Sequence, residues 1–214
     1  TGLFLRAAQR LAQRSPRATV RLDIERTVQA SIRGGGVSVS PFFQELRAEP
    51  EYLVLIEKRA GGDHDFERLK QMAKKLEPVV TLDIYSYLTE PSILQADQGG
   101  KIEALDRVLA RHGDHRLLVL GSGVGFLDPR SQKPVSSAEK LMQIERRALL
   151  TPMPLAEWAQ EEVALARELD MPIGRATPEG LGELAELLRL DGAEDDELLK
   201  PDGDGRARPL PDML

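Results

Sequence analysis

Cysteine is absent from the 214 residues. That excludes disulfides, thiolate metal sites and a cysteine nucleophile, and it suits a reducing compartment such as the cytoplasm. Aromatic residues are scarce at 4%, so a core drawn from the 41% of hydrophobic residues must be mostly aliphatic. Long apolar runs are missing too: none approaches the roughly 20 residues of a membrane span. No stretch carries the pattern of a secretory signal. No G-x-x-x-x-G-K-[ST] stretch occurs, which removes the most specific phosphate-binding loop. The chain opens on Thr1. It is read as a piece of a longer polypeptide, cytoplasmic or the cytoplasmic part of a membrane-anchored protein.

Charge is present but unevenly placed. The formal net charge is −6. The first 22 residues hold five arginines and no acid, whereas residues 191–214 hold eight acids and three bases. The body between is mildly acidic, which argues against a nucleic-acid surface. Three regions follow: a basic amphipathic helical arm (1–22), an α/β domain (23–190) and an acidic tail or linker (191–214) expected to be disordered.

In the arm, Leu3, Phe4, Ala7, Ala8 and Leu11 recur at helical spacing, and Arg6, Arg10 and Arg14 fall four apart. Two readings stay open: a helix packed on the domain with a solvated arginine face, or an arm lying near a membrane or another anionic partner. Asp23 is placed to cap a helix over 24–33, closed by Gly34-Gly35-Gly36. Segment 37–46, with Pro41 in it, reads as loop and edge strand. From Tyr52 strands and helices alternate. YLVLIE (52–57) is a continuous apolar run, as a strand buried on both faces requires. Further strands are expected at 79–88, 116–120, 147–151 and 171–176, with helices at 63–76, 101–111, 155–169 and 177–190. Right-handed crossovers then give a mostly parallel sheet with helices on both faces.

The segment RLLVLGSGVGFLD (116–128) ends a strand in Gly121, Gly123 and Gly125. A dinucleotide loop needs G-x-G-x-x-G and an immediate helix. Here the third glycine comes one residue early, and Leu127-Asp128-Pro129 follows instead of a helix. The loop reads as a strand-end turn, still at the rim where open α/β sheets bind ligands. The other rim candidates are Lys58, Arg59, Asp63 and His64 after the first strand, Asp83, Tyr85 and Tyr87 on the second, and Thr151 after the fourth. His64, between Asp63 and Asp65, has the makings of a base or a ligand, but solvation or capping is the commoner role of such a residue. His112 and His115 are three apart at a helix end, with no third ligand evident in the sequence. Ser122 lacks the G-x-S-x-G context of a nucleophile. Phe126, beside the glycines, is expected to tuck under the loop as core.

The ordered series PEYLVLIEKR, DIYSYL, RLLVLGSGVGFLDP, RALLTPMPLAEW and ATPEGLGEL resembles the divergent von Willebrand factor A-like domains of bacterial multidomain proteins, often joined to formylglycine-generating-enzyme-like domains of C-type-lectin fold. The resemblance covers about residues 20–190. It implies a Rossmann-like three-layer sandwich with strand order 3-2-1-4-5-6. Metal-binding members carry D-x-S-x-S after the first strand, a set suited to Mg²⁺. Here Glu57 stands at the acid's place, Arg59 and Gly61 stand at the hydroxyl places, and Ser122 replaces the later acid. The implied ion site is therefore expected to be lost, with no metal and no cofactor. The expected function is a noncatalytic protein-interaction or scaffold module, its partner another protein or attached domains. Its binding rim is Glu57, Lys58, Arg59, His64, Tyr85, Tyr87, Ser122, Phe126 and Thr151. The alternative is a hydrolase or nucleotide-binding enzyme using His64, Asp63, Asp83, Asp128 and the Gly121–Gly125 loop.

Overall fold

The computed structural model describes residues 2–13, 15–35, 41–59, 64–154 and 160–190. The tail 191–214, Asp63 and Trp158 lie outside the described residues. The chain starts with α1 (Gly2–Leu11), β1 (Ser15–Leu22), α2 (Ile24–Arg33) and β2 (Phe43–Ala48). The expected helical arm over 1–22 needs correcting. The helix ends at Leu11, and residues 15–22 form a strand paired antiparallel with β2. The signal was there: Arg17, Thr19 and Arg21 alternate with Ala18, Val20 and Leu22 at the period of a strand.

The helix α1 is also no free arm. Its residues Ala7, Ala8 and Leu11 are buried, and the Tyr52 hydroxyl donates to the Leu11 carbonyl oxygen at 2.9 Å. Arg10 is paired with Glu186 at 3.2 Å, which takes one member out of the expected arginine face. Arg14 lies outside the described residues.

The main sheet holds β3 (Glu51–Glu57), β4 (Thr81–Tyr87), β5 (Ile93–Ala96), β6 (Ile102–Ala104), β7 (Arg116–Leu120), β8 (Arg147–Thr151) and β9 (Ile173–Arg175). Its order is β6-β5-β4-β3-β7-β8-β9. The five strands β4, β3, β7, β8 and β9 run parallel, while β5 and β6 add an antiparallel hairpin at one edge. Without β6 the order is the expected 3-2-1-4-5-6. The expected helix at 101–111 therefore begins four residues late, at Leu105, because Ile102–Ala104 is the extra edge strand.

Helices cover both faces. Tyr52, Val54 and Ile56 face the layer of α1, α3 (His64–Leu76) and α7 (Pro178–Leu190), packed with Leu69, Leu181 and Leu184. Leu53, Leu55, Tyr85 and Tyr87 face the layer of α4 (Leu105–His112), α5 (Ser136–Leu141) and α6 (Gln160–Leu169), packed with Val108, Leu141 and Leu165. Period two in the strands thus sorts one apolar run into two cores. No described helix is long and apolar enough to cross a membrane.

Candidate functional site

Parallel strands give the sheet two chemically distinct ends. The C-terminal rim collects Glu57, Tyr87, Leu120 and Thr151. The opposite end collects Glu51, Asp83 and Arg116.

At the rim, the Glu57 side chain turns toward the glycine loop. Its carboxylate accepts the Ser122 backbone N–H at 2.5 Å and the Ser122 hydroxyl at 2.8 and 3.0 Å. The Arg59 Nε donates to it at 3.4 Å. Glycine at 121 makes this possible, since a Cβ there would stand 2.5 Å from the Glu57 Cβ. The neighbouring Gly123 has φ of +73°, in the left-handed region that suits glycine. A Cβ on Gly125 would run into the Thr89 carbonyl. The loop closes through a 3₁₀ turn over Val124–Phe126, and no helix N-terminus opens behind it. The N–H that a phosphate loop would aim at its ligand is aimed at the chain's own acid.

Among the described residues the rim is packed rather than open. Of the nine residues read as a binding rim, six are buried: Glu57, Tyr85, Tyr87, Ser122, Phe126 and Thr151. Phe126 is fully buried, as expected, and lies against the Tyr87 ring at 5.9 Å between centroids. The Tyr87 hydroxyl is buried with no hydrogen-bond partner among the described residues; burial, then the nearby Glu57 charge, push its pKa well up. Thr151 Oγ1 accepts the Met153 N–H at 3.2 Å. Lys58, Arg59 and His64 are exposed. Asp128 is held in a local turn by the Ser131 N–H, the Ser131 hydroxyl and the Arg130 N–H, which lower its pKa. The pocket beside the loop, lined by Ser122, Val124, Leu127, Gln132 and Leu165 among others, has no ionisable side chain. No acid–base–nucleophile arrangement is assembled here among the described residues.

Two expected rim residues belong elsewhere. Asp83 is the third residue of β4 and pairs in register with Leu53, so it sits toward the N-terminal end of the sheet. Tyr85 is buried beneath α4, where its hydroxyl accepts from Arg111 at 3.1 Å. The same Arg111 makes a two-pronged pair with Glu103, at 2.7 and 2.9 Å. That pairing, aided by Lys101, lowers the Glu103 pKa to about 2 and raises that of Arg111. The end of α4 is thereby tied to β6 and β4.

Directly after Arg111, His112 and His115 turn back onto Asp83. His112 Nδ1 is 3.3 Å from His115 Nε2, and each nitrogen is 3.3 Å from Asp83 Oδ2. Glu51 Oε2 stands 3.5 Å from His115 Nε2. Burial lowers the His112 pKa, with Asp83 opposing the shift and His115 adding to it. Asp83, His112 and His115 are the one group among the described residues whose donor atoms converge as metal ligands do. Asp83 is a rim candidate in the sequence, and nothing there ties it to the pair, because it lies 29 positions before the first histidine.

No family model, no curated protein and no solved structure matches the chain.

Proposed function

We propose that this chain is a noncatalytic protein-interaction module of a larger bacterial, cytoplasmic protein, built like a divergent von Willebrand factor A-like domain that has lost its rim ion. The edge-to-edge order of six of the seven strands in its main sheet supports the architecture. The engagement of Glu57 by Ser122 and Arg59 supports the loss of the ion, since among the described residues no bare oxygen set is left beside it for a hard cation.

The observation that carries the interaction reading is on α2. None of its ten residues is buried. Thr27, Ala30 and Ser31 form its less exposed side, and the Thr27 hydroxyl accepts the Phe42 N–H at 3.0 Å. Ile24, Val28 and Ile32, four apart, are 68, 49 and 73% exposed. A helix that turns small and polar residues inward and branched apolar residues outward suits a protein partner with an apolar groove.

The test uses the chain and its Val28→Asp/Ile32→Asp variant as baits in a bacterial extract. Any protein held by the first alone is purified and titrated against both. A dissociation constant at least tenfold weaker for the variant, at unchanged melting temperature, supports the reading. Equal affinity overturns it. For the rim, Mg²⁺ and Mn²⁺ titrations are expected to give no binding that depends on Glu57.

A further inference from the structure

We propose that Asp83, His112 and His115, with Glu51 at the outer edge, form a binding site for a divalent transition metal, zinc being the ion whose geometry they match best. The proposal concerns the end of the sheet opposite the rim and does not rest on the interaction reading.

The distances carry the argument. Zinc bound at 2.0–2.1 Å in a tetrahedron sets its ligand atoms about 3.3 Å apart. The three donor atoms form a triangle whose sides are all 3.3 Å. Hydrogen bonding accounts for it less well. An N–H···O bond prefers about 2.9–3.0 Å. Moreover, if both nitrogens donate to Asp83 Oδ2, the third side sets two N–H donors 3.3 Å apart with neither accepting from the other. A single cation at the centre resolves all three contacts at once. The donor set agrees: two imidazoles and one or two carboxylates suit zinc and its neighbours, whereas Mg²⁺ and Ca²⁺ call for oxygen alone.

The site is also held in place before any ion arrives. The His115 N–H donates to the His112 carbonyl at 2.9 Å, which fixes the turn between them. The two rings meet edge to face at 4.7 Å. Arg111 pins the preceding turn of α4 to Glu103. Both imidazoles are close to nine-tenths covered, while Asp83 and Glu51 are 41 and 56% exposed, so an ion approaches from the carboxylate side. The far nitrogen of His115, Nδ1, is buried with no hydrogen-bond partner among the described residues, so no outer acceptor among them fixes the ring's tautomer. An ion here joins β3, β4 and the α4–β7 turn, a structural clamp away from the end where parallel sheets usually hold substrates.

The chain has three histidines, which makes the test direct. Chelator-treated full chain is titrated with zinc, and separately with cobalt, whose visible spectrum reports tetrahedral coordination. One ion per chain is expected. In histidine NMR, the His112 and His115 signals should move together at one equivalent while that of His64 stays. Zinc at a hundredfold excess over its dissociation constant should raise the melting temperature by about 5–10 °C. His112→Gln and His115→Gln should each weaken binding at least about tenfold, Glu51→Gln less, and His64→Gln not at all. The NMR arm needs no variant, so a misfolded mutant does not blunt the test. Failure of zinc and cobalt to bind, binding that moves His64 instead, or binding that survives His112→Gln/His115→Gln overturns the proposal.

Discussion

At the C-terminal end of the sheet, Glu57 faces a backbone N–H, a hydroxyl and a guanidinium. At the other end, Asp83 faces two imidazoles and, past them, a second carboxylate. Both acids lie on strands of one sheet, on the same face, within one parallel register. The difference lies in what surrounds them. Donors converge on Glu57, so its negative charge is answered by the protein and the position is finished. Atoms with lone pairs converge around Asp83, so the position is complete only with a proton or a cation at its centre. In an open α/β fold the expected ligand end is the rim; here the rim is filled by its own side chains, and the ligand-like geometry has been built at the base.

The largest way to break this contrast is to open the rim. Phe126 is fully buried beneath the glycine loop, against Tyr87. Phe126→Ala is expected to cost about 3–5 kcal/mol, the usual loss for a buried phenylalanine. Urea denaturation reads it as a lower midpoint at similar slope. A cost under about 1 kcal/mol would mean the loop is loosely packed and the rim is open after all.

The same substitution made at both ends sharpens the contrast. Glu57→Gln replaces an acceptor-only group with one that sets an NH₂ against existing donors. The expected cost is about 1–3 kcal/mol. Asp83→Asn, at a side chain 41% exposed, is expected to cost about 1 kcal/mol or less without metal. It should nonetheless remove most of the stabilisation that zinc confers on the unaltered chain. Thermal melts with and without zinc separate the two effects. Similar costs at both ends, with zinc inert toward both, would erase the distinction.

A third effect concerns the tie that holds the base. Arg111, then Lys101, lower the Glu103 pKa from the ordinary 4.5 to about 2. A depressed carboxylate contributes its stability above the unfolded value and loses it as pH falls through the folded one. The chain should therefore lose stability as pH drops from about 4.5 to about 2. Glu103→Gln should flatten that part of the curve while leaving the slope between pH 6 and 8 as it was. An unchanged acid limb would show that Arg111 does not depend on Glu103 for its position.

How much of this was legible beforehand depends on the kind of signal. The central strands announce themselves, because Leu53–Ile56 and Leu117–Leu120 are buried on both faces and must be apolar throughout. The hairpin of β5 and β6 does not, since strands of four and three residues at an edge leave Ile93 and Ile102 62 and 68% exposed and blur any period. At the rim, Glu57 and Ser122 could be named as candidates, but not as each other's partners, because they are 65 positions apart and meet only through the β3–β7 pairing. At the base, the H-x-x-H pair is visible, but period two alone groups Asp83 with Tyr85 and Tyr87 and does not say which end of the strand it occupies. Counting from the strand start would have helped: Leu53 pairs with both Asp83 and Leu117, so Asp83 and the residues just before β7 must be neighbours at one end.

The smallest expected effect on stability tests whether function has left the rim for the surface. The helices α1 and α2 are both amphipathic and ten residues long, yet they treat their apolar faces differently. On α1, Ala7, Ala8 and Leu11 are buried, with Gly182 of α7 3.8 Å from the Ala7 side chain where a Cβ would stand. On α2, Ile24, Val28 and Ile32 stay in solvent. Ala8→Asp should therefore destabilise by more than about 2 kcal/mol, because it buries an unpaired charge. Val28→Asp should stay within about 0.5 kcal/mol of the unaltered chain, as surface substitutions usually do. A stability cost at position 28 as large as that at position 8 would place the α2 stripe against the chain itself and remove it as a docking face. With no such cost, α2 keeps an apolar stripe that folding does not use. That outcome is the one the proposed docking reading requires of Ile24, Val28 and Ile32.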